Sequence, residues 1–404
     1  MTQPQGHSRW LRRSLIIAGI VALAVNLRGP ISGVGPVLDV LTNELSLSAL
    51  EVSVLAATPV LCFGIFGVLT PRITARLGLD STAALALIVL TGGLLLRSIG
   101  LVSALFAGTI LISAAIAVGN VLLPVLVKRD APRHPGLMTG AYTTTLTTSA
   151  AIGAAITVPL SSAYNWQIGL GVWLLTTALA LVLWAPRAAD AHRQRKNDVP
   201  AASPSGRLGP LLRVPLAWQV TIFFGMQSAT FYAVLAWLPS IYQAAGIEAS
   251  DAGLLLAVTT LSGIPMALTI PVWAARSTDQ RIFPLALAVL SICGFLGILI
   301  APSTVPVLWS ILIGFGMGGT FPLALTLIVL RTANPSDTSA LSTMSQGLGY
   351  LIAAALGPFT LGLLHDATGG WTWPVIALIG LSIPQAITGW TSGRARVIGQ
   401  TDNA

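Results

Sequence analysis

Apolar residues fall in twelve long runs, at roughly 14–41, 51–70, 81–99, 103–127, 136–160, 167–185, 215–244, 250–274, 282–301, 305–331, 338–363 and 372–391, separated by short polar gaps. About 20 mostly uncharged residues can cross a bilayer as a helix, because a helix satisfies its own backbone hydrogen bonds in hydrocarbon. The pattern predicts an all-α membrane protein with twelve transmembrane helices. The gaps differ in charge. Of the 21 Lys and Arg residues, all but Arg28 and Arg97 lie in the tails or in gaps after even-numbered runs, such as Arg72 and Arg76, Lys128 and Arg129, Arg276 and Arg281. Gaps after odd-numbered runs hold acids and neutral residues, among them Glu44, Glu248, Asp251 and Asp366. By the positive-inside rule, both termini and the long middle gap are expected in the cytoplasm, with the chain multi-pass in the cytoplasmic membrane.

Composition agrees: 54% of the 404 residues are hydrophobic and 8% charged, too few charges for the surface of a soluble protein of this length. The net charge of +8 is scattered among inner loops, so the expected partner is the lipid bilayer and not nucleic acid. The arginines before the first run suggest a signal peptide, but the run is too long and lacks a cleavage-like end, which predicts an uncleaved span. Cys62 and Cys293 stand alone in different runs, and His7, His134, His192 and His365 lie in loops or tails. The segment GFGMGGTFP (314–322) fits G-x-G-x-x-G but sits in an apolar helix and follows no strand. Without a metal-like spacing, nucleophile elbow or phosphate loop, no metal, cofactor or enzymatic activity is expected, and transport would draw on a gradient.

Residues 186–214 are rich in Pro, Ala, Ser and charge and read as a cytoplasmic linker. The expected organisation is a tail (1–13), a six-helix bundle (14–185), the linker, a second bundle (215–391) and a second tail (392–404). Weak self-similarity supports this: LTPR ending at Arg72 is matched with WAAR ending at Arg276, and Pro124 with Pro322. Parallel six-helix repeats with a site at their interface are the logic of secondary transporters.

Candidate chemistry comes from polar residues inside the runs. Arg28 lies about 14 residues into its run, near mid-bilayer at about 1.5 Å per residue, where an arginine costs roughly 2.5–3.5 kcal/mol. Its setting, NLRGPISGVGP (26–36), weakens a helix and can free carbonyls to line a wet site. One reading gives its guanidinium to a small planar anion or electron-rich group; the other satisfies it with carbonyls released around Pro30. On an ideal helix Asn26 points about 200° away, so both reach one site only if Gly29–Pro30 is unwound. Arg97, near the outer end of its run, is expected to extend to the headgroups or to Asp39. Further candidate substrate contacts are Asn120, Tyr142, Gln227, Tyr232, Trp237, Gln346 and Tyr350, which suit an apolar pocket with a few placed donors. The stripes Ser113–Ala117–Asn120–Pro124, Tyr142–Thr145–Ser149 and Ser342–Gln346–Gly349–Tyr350 follow helical spacing. The two acids nearest a run interior are Asp39 and Glu51, both carried as possible proton-coupling groups. Glu51 also closes an S-x-x-E capping box with Ser48.

NLRGPISGVGP, GMQSATFYAVLAWLP (225–239) and the Pro-Arg after GVLT (67–70) give the chain its resemblance to the major facilitator superfamily over nearly its whole length. Within it, the chain resembles the cyanate permease and 2-nitroimidazole transporter family. The resemblance implies two pseudo-symmetric six-helix bundles working by alternating access on a small-molecule substrate, as a monomer. It also implies an inner-gate role for Arg72, and for Arg276 in the second half. Gly67, Leu69 and Arg72 match the superfamily's gate motif, whereas Pro71 stands where an Asp is usual. The alternatives are a proton-coupled multidrug antiporter of the same fold, which would favour an intramembrane acid, and a membrane-embedded enzyme or receptor, which would need a catalytic or sensory constellation.

Overall fold

The computed structural model describes residues 17–197 and 208–398; a few side chains inside that range, including that of Asp39, fall outside the description, as do both tails' ends and the middle of the linker. The first run forms α1 (17–25), a turn at 26–28, α2 (Gly29–Ser32), a 3-10 turn (Gly35–Val37) and α3 (Leu38–Leu45). Then come α4 (Ala49–Leu77), α5 (Leu79–Arg97), α6 (Val102–Asp130), α7 (Pro135–Ala163), α8 (Trp166–Gly171) and α9 (Trp173–Asn197). The remainder is α10 (Leu208–Leu211), α11 (Pro215–Ala244), α12 (Ala249–Arg276), α13 (Ile282–Ile300), α14 (Pro306–Leu330), α15 (Pro335–Leu356), α16 (Pro358–Thr368) and α17 (Thr372–Ser392). Among the described residues, twelve segments are helical, long and apolar enough to cross a membrane.

Local chemistry sets many boundaries. Ser48 and Glu51 cap α4 reciprocally, Asn334 caps α15 through Asp337 N, and Pro215, Pro306, Pro335 and Pro358 open helices where a missing N–H costs nothing. The first run breaks at 26–28, two residues before the expected Gly29–Pro30, because Pro30 at the start of α2 favours a new helix. Two breaks are absent from the sequence expectation. The sixth run parts at Val172, and the eleventh at Gly357, where a Cβ would lie 3.0 Å from the Ala229 carbonyl of α11. The polar stretch expected to be linker from residue 186 is helical to Asn197, its Ala, Arg, Gln and Lys residues being good helix formers.

The described residues group into two compact units, one within 1–132 and 141–205, the other within 133–140 and 206–404. The start of α7 thus groups with the second unit, where a Cβ on Gly136 would meet the Pro271 carbonyl at 2.3 Å. Small residues bring helices together in lipid, where apolar burial cannot. In the first unit, a Cβ on Gly108 of α6 would lie 2.6 Å from the Gly93 carbonyl of α5. In the second, one on Gly318 of α14 would lie 2.2 Å from the Gly263 Cα of α12. Leu175, Leu179 and Val182 of α9 are 73%, 59% and 69% exposed at i, i+4 and i+7, an apolar stripe suited to lipid.

Each unit joins three helices through arginine. In the first, Arg129 at the end of α6 pairs with Asp80 at the start of α5 (2.7 Å) and with Asp130 (2.6 Å). Arg187 of α9 joins from the other side at 2.6 Å from Asp130 and 3.0 Å from Asp80. In the second unit, Arg331 after α14 donates to the Ser392 carbonyl (2.7 Å), the Gly393 carbonyl (3.1 Å) and Gln280 Oε1, beside the start of α13. The same joint is ionic in one half and neutral in the other. Helix registers also correct the repeat alignment: α4 and α12 begin at Ala49 and Ala249, carry Pro71 and Pro271, and hold Arg76 and Arg276 in their last turns. Arg276 therefore answers Arg76, not Arg72.

Candidate functional site

In the first unit, Arg28 occupies the residue before α2 with a non-helical backbone (φ −129°, ψ −44°). Its carbonyl accepts from Ile31 N and Ser32 N, both at 3.1 Å, so the first turn of α2 is built on it. Arg28 is partly exposed while Leu27, Gly29 and Pro30 beside it are buried. Leu27 packs on Gly119 of α6, where a Cβ would lie 2.6 Å from its Cδ2, and Asn120 follows at 6% exposure. Tyr142 of α7 is buried in the same unit.

Asn26 stands apart from these. Its Nδ2 donates to the Ala22 carbonyl (2.8 Å) and the Thr176 carbonyl (3.2 Å), and its Oδ1 accepts from Thr176 Oγ1 (2.8 Å) and Thr177 Oγ1 (2.9 Å). With all four hydrogen-bonding positions filled inside the unit, Asn26 is a bridge between the first span and α9. The sequence missed Thr176 and Thr177, and no local signal marks them. Arg97 corrects another expectation: it is 1% exposed and does not reach for headgroups. Its Nη1 donates to the Pro30 carbonyl (2.9 Å) and its Nη2 to the Leu170 carbonyl (3.1 Å).

In the second unit, candidate residues gather around rings. Phe224 of α11 meets Tyr350 of α15 edge-on (centroids 5.2 Å apart) and Phe321 of α14 at 6.1 Å; Tyr232 lies 6.3 Å from Tyr350. Gln227, one turn along from Phe224, donates to the Phe224 carbonyl (3.1 Å) and Ser228 Oγ (2.6 Å). Gln346 donates to Ser342 Oγ at 2.9 Å, so that stripe is a bonded i, i+4 pair. Phe224 and Phe321 were not singled out in the sequence, although each sits a few residues from a helix-contact glycine. Trp237 lies elsewhere: its Nε1 donates to the Pro358 carbonyl (2.8 Å) and its ring tilts against Trp371 at 5.4 Å.

Most hydroxyls of the sequence stripes bond their own helix. Ser113 donates to the Thr109 carbonyl (2.7 Å), Thr145 to that of Ala141 (2.8 Å) and Ser149 to that of Leu146 (3.0 Å). Glu51 accepts from Ser48 N (2.8 Å) and Ser48 Oγ (2.7 Å), bonds that hold its carboxyl below the usual range. Asp39's side chain lies outside the description. Arg72 and Arg276 are exposed towards the ends of α4 and α12. Beside the second unit's joint, burial pushes Arg331 down to about 10, and hydrogen bonds from Arg281 hold Asp279 below its usual value. Chemically, the first unit offers a guanidinium at a helix break, and the second offers ring faces edged by amides and phenols.

The sequence profile described as the Major Facilitator Superfamily matches residues 14–354. The chain is 36% identical over 387 residues to the 2-nitroimidazole transporter of Escherichia coli (strain K12), covering 96% of this chain and 97% of that one. It is 29% identical over 374 residues to the cyanate transport protein CynX of the same organism, covering 90% and 94%. In fold it is similar to the proton:xylose symporter XylE, with a TM-score of 0.77 at 12% identity over 96% of this chain and 97% of that one.

Proposed function

The chain belongs to the Major Facilitator Superfamily and is a multi-pass membrane transporter of a small molecule, and from that premise we propose that its substrate is a small, planar anion or electron-rich heterocycle. Arg28 anchors the substrate, by donating two parallel N–H bonds to an oxygen- or nitrogen-bearing edge. The observation that carries this reading is a partly exposed arginine at a helix break, among buried neighbours. The names of the two curated relatives support it: cyanate is a linear anion and a nitroimidazole a flat heterocycle, yet both are small and present nitrogen and oxygen acceptors. Asn120 and Tyr142 in the first unit, and Gln227, Tyr232, Gln346 and Tyr350 in the second, are the further substrate contacts of this reading; the rings supply flat apolar surface. The transporter works by alternating access as a monomer in the cytoplasmic membrane, with both termini in the cytoplasm and Arg72 and Arg276 serving the inner gate. The cation-poor odd-numbered gaps support that orientation.

The test is uptake of labelled 2-nitroimidazole and cyanate into proteoliposomes, with wild-type protein and Arg28→Gln. A hydrogen bond to a charged group is worth about 1.5–3 kcal/mol, so the variant is expected to weaken apparent affinity by about 10- to 100-fold while its thermal unfolding stays close to wild type. Unchanged affinity would remove Arg28 from recognition.

A further inference from the structure

The first unit contains a second intramembrane arginine that recognition does not use. Arg97 closes α5, is 1% exposed, and among the described residues forms no ion pair. A buried cation without an acid is costly, and the planar fork of an arginine is suited to bridging two acceptors at once. Both acceptors are carbonyls freed by broken helices. At Pro30 the helical bond is missing because Val34 N turns back to the Ile31 carbonyl (3.1 Å). Leu170 is the next-to-last residue of α8, and there the ladder is interrupted: Val172 N still bonds the Ile168 carbonyl (3.0 Å), but Leu175 N turns to the Val172 carbonyl (3.2 Å) as α9 begins. The two breaks also touch directly: a Cβ on Gly29 would lie 2.2 Å from the ring of Trp173, the first residue of α9. Arg97 Nε has no hydrogen-bond partner, so the two terminal nitrogens carry the whole link.

We propose that Arg97 is a positioning residue for substrate recognition: it fastens the break in the first span to the break between α8 and α9, so that both are held as one body and the backbone carrying Arg28 is fixed in its non-helical geometry. The coupling is short in chain terms. Pro30 is two residues from Arg28, and the α2 turn that Pro30 opens is hydrogen-bonded to Arg28's own carbonyl. This proposal rests on the reading of Arg28 as the anchor, and the experiment separates the two.

In a background with Cys62→Ala and Cys293→Ala, the Arg28→Cys variant in lipid nanodiscs is treated with a small anionic methanethiosulfonate, with Arg97 intact or replaced. Labelling with Arg97 intact shows that position 28 meets water, as recognition requires; no labelling overturns the anchor reading and with it the positioning role. With Arg97→Gln added, the labelling rate is expected to change at least about tenfold, and a rate within twofold overturns the proposal. Hydrogen exchange of the otherwise wild-type Arg97→Gln protein decides the clamp itself. Residues 29–37 and 168–175 are expected to exchange faster together, while 82–96, held at the Gly93–Gly108 contact, do not. Loosening of only one segment, or of all three alike as in general destabilisation, overturns it. Arg97→Lys, which keeps the charge without the fork, is expected to loosen at least one of the two breaks; full retention of both would show that charge alone suffices and overturn the proposal.

Discussion

Arg28 and Asn26 are two residues apart, and the chain puts them to different uses. Asn26 is closed off by Ala22, Thr176 and Thr177, whereas Arg28 stands before α2 as a partly exposed residue. Asn26→Ala removes the amide that ties the first span to α9, a loss of about 0.5–1.5 kcal/mol per hydrogen bond, while the two threonine hydroxyls keep the Trp173 carbonyl (3.0 and 2.8 Å) as an acceptor. We expect a lower thermal unfolding temperature with substrate affinity within about twofold of wild type, the reverse of Arg28→Gln; an affinity loss without destabilisation would return Asn26 to the site. Arg28 was legible in the sequence because a lone charge in an apolar run demands an explanation. The role of Asn26 was not, because its partners lie 150 residues away and look like any other intramembrane threonine. Arg97 was misread for the same reason: its acceptors are backbone carbonyls, which no sequence displays.

At the scale of elements, helix starts were legible where chemistry marks them, and breaks only where Gly and Pro cluster. The first run announced its interruption through Gly29, Pro30, Gly33 and Gly35, and the structure shifted it by two residues. The Val172 break carries Gly169 and Gly171 but no proline, and Gly357–Pro358 was hidden inside a strongly apolar run. The capping box of α4 was read correctly and bears on coupling. Folding depresses the Glu51 carboxyl, so its contribution to stability is present above the ordinary carboxylate range and is lost as pH falls through the depressed value. A glutamine can still accept from Ser48. Glu51→Gln is therefore expected to transport with the wild-type pH profile; a profile that flattens would make Glu51 a proton carrier.

For the whole molecule, the twelve spans were legible from hydropathy, while the contrasting joints were not. Arg129 and Arg331 do the same job at the ends of α6 and α14, one with carboxylates and the other with carbonyls and an amide. Arg129 and its acids are partly exposed, so breaking that network should cost about 1–3 kcal/mol, less than a fully buried one. The cost of Arg129→Ala is expected to shrink as salt rises from about 0.05 to about 0.5 M, whereas that of Arg331→Ala, whose direct acceptors are neutral and whose charged neighbour is Asp279, shrinks less. Equal salt dependence in thermal unfolding would contradict the assignment of one ionic and one neutral joint.

α9 touches the first span and the ionic joint in sequence along one face. Trp173 lies under Gly29, Thr176 and Thr177 grip Asn26, Trp184 rests on Gly19 and donates to the Asp80 carbonyl, and Arg187 closes the joint before the helix runs on to Asn197. A single rod thus indexes the interrupted first span, much as a splint holds a fracture. Torque applied to its polar end acts on one lever whose other end bears on the turn that carries Arg28.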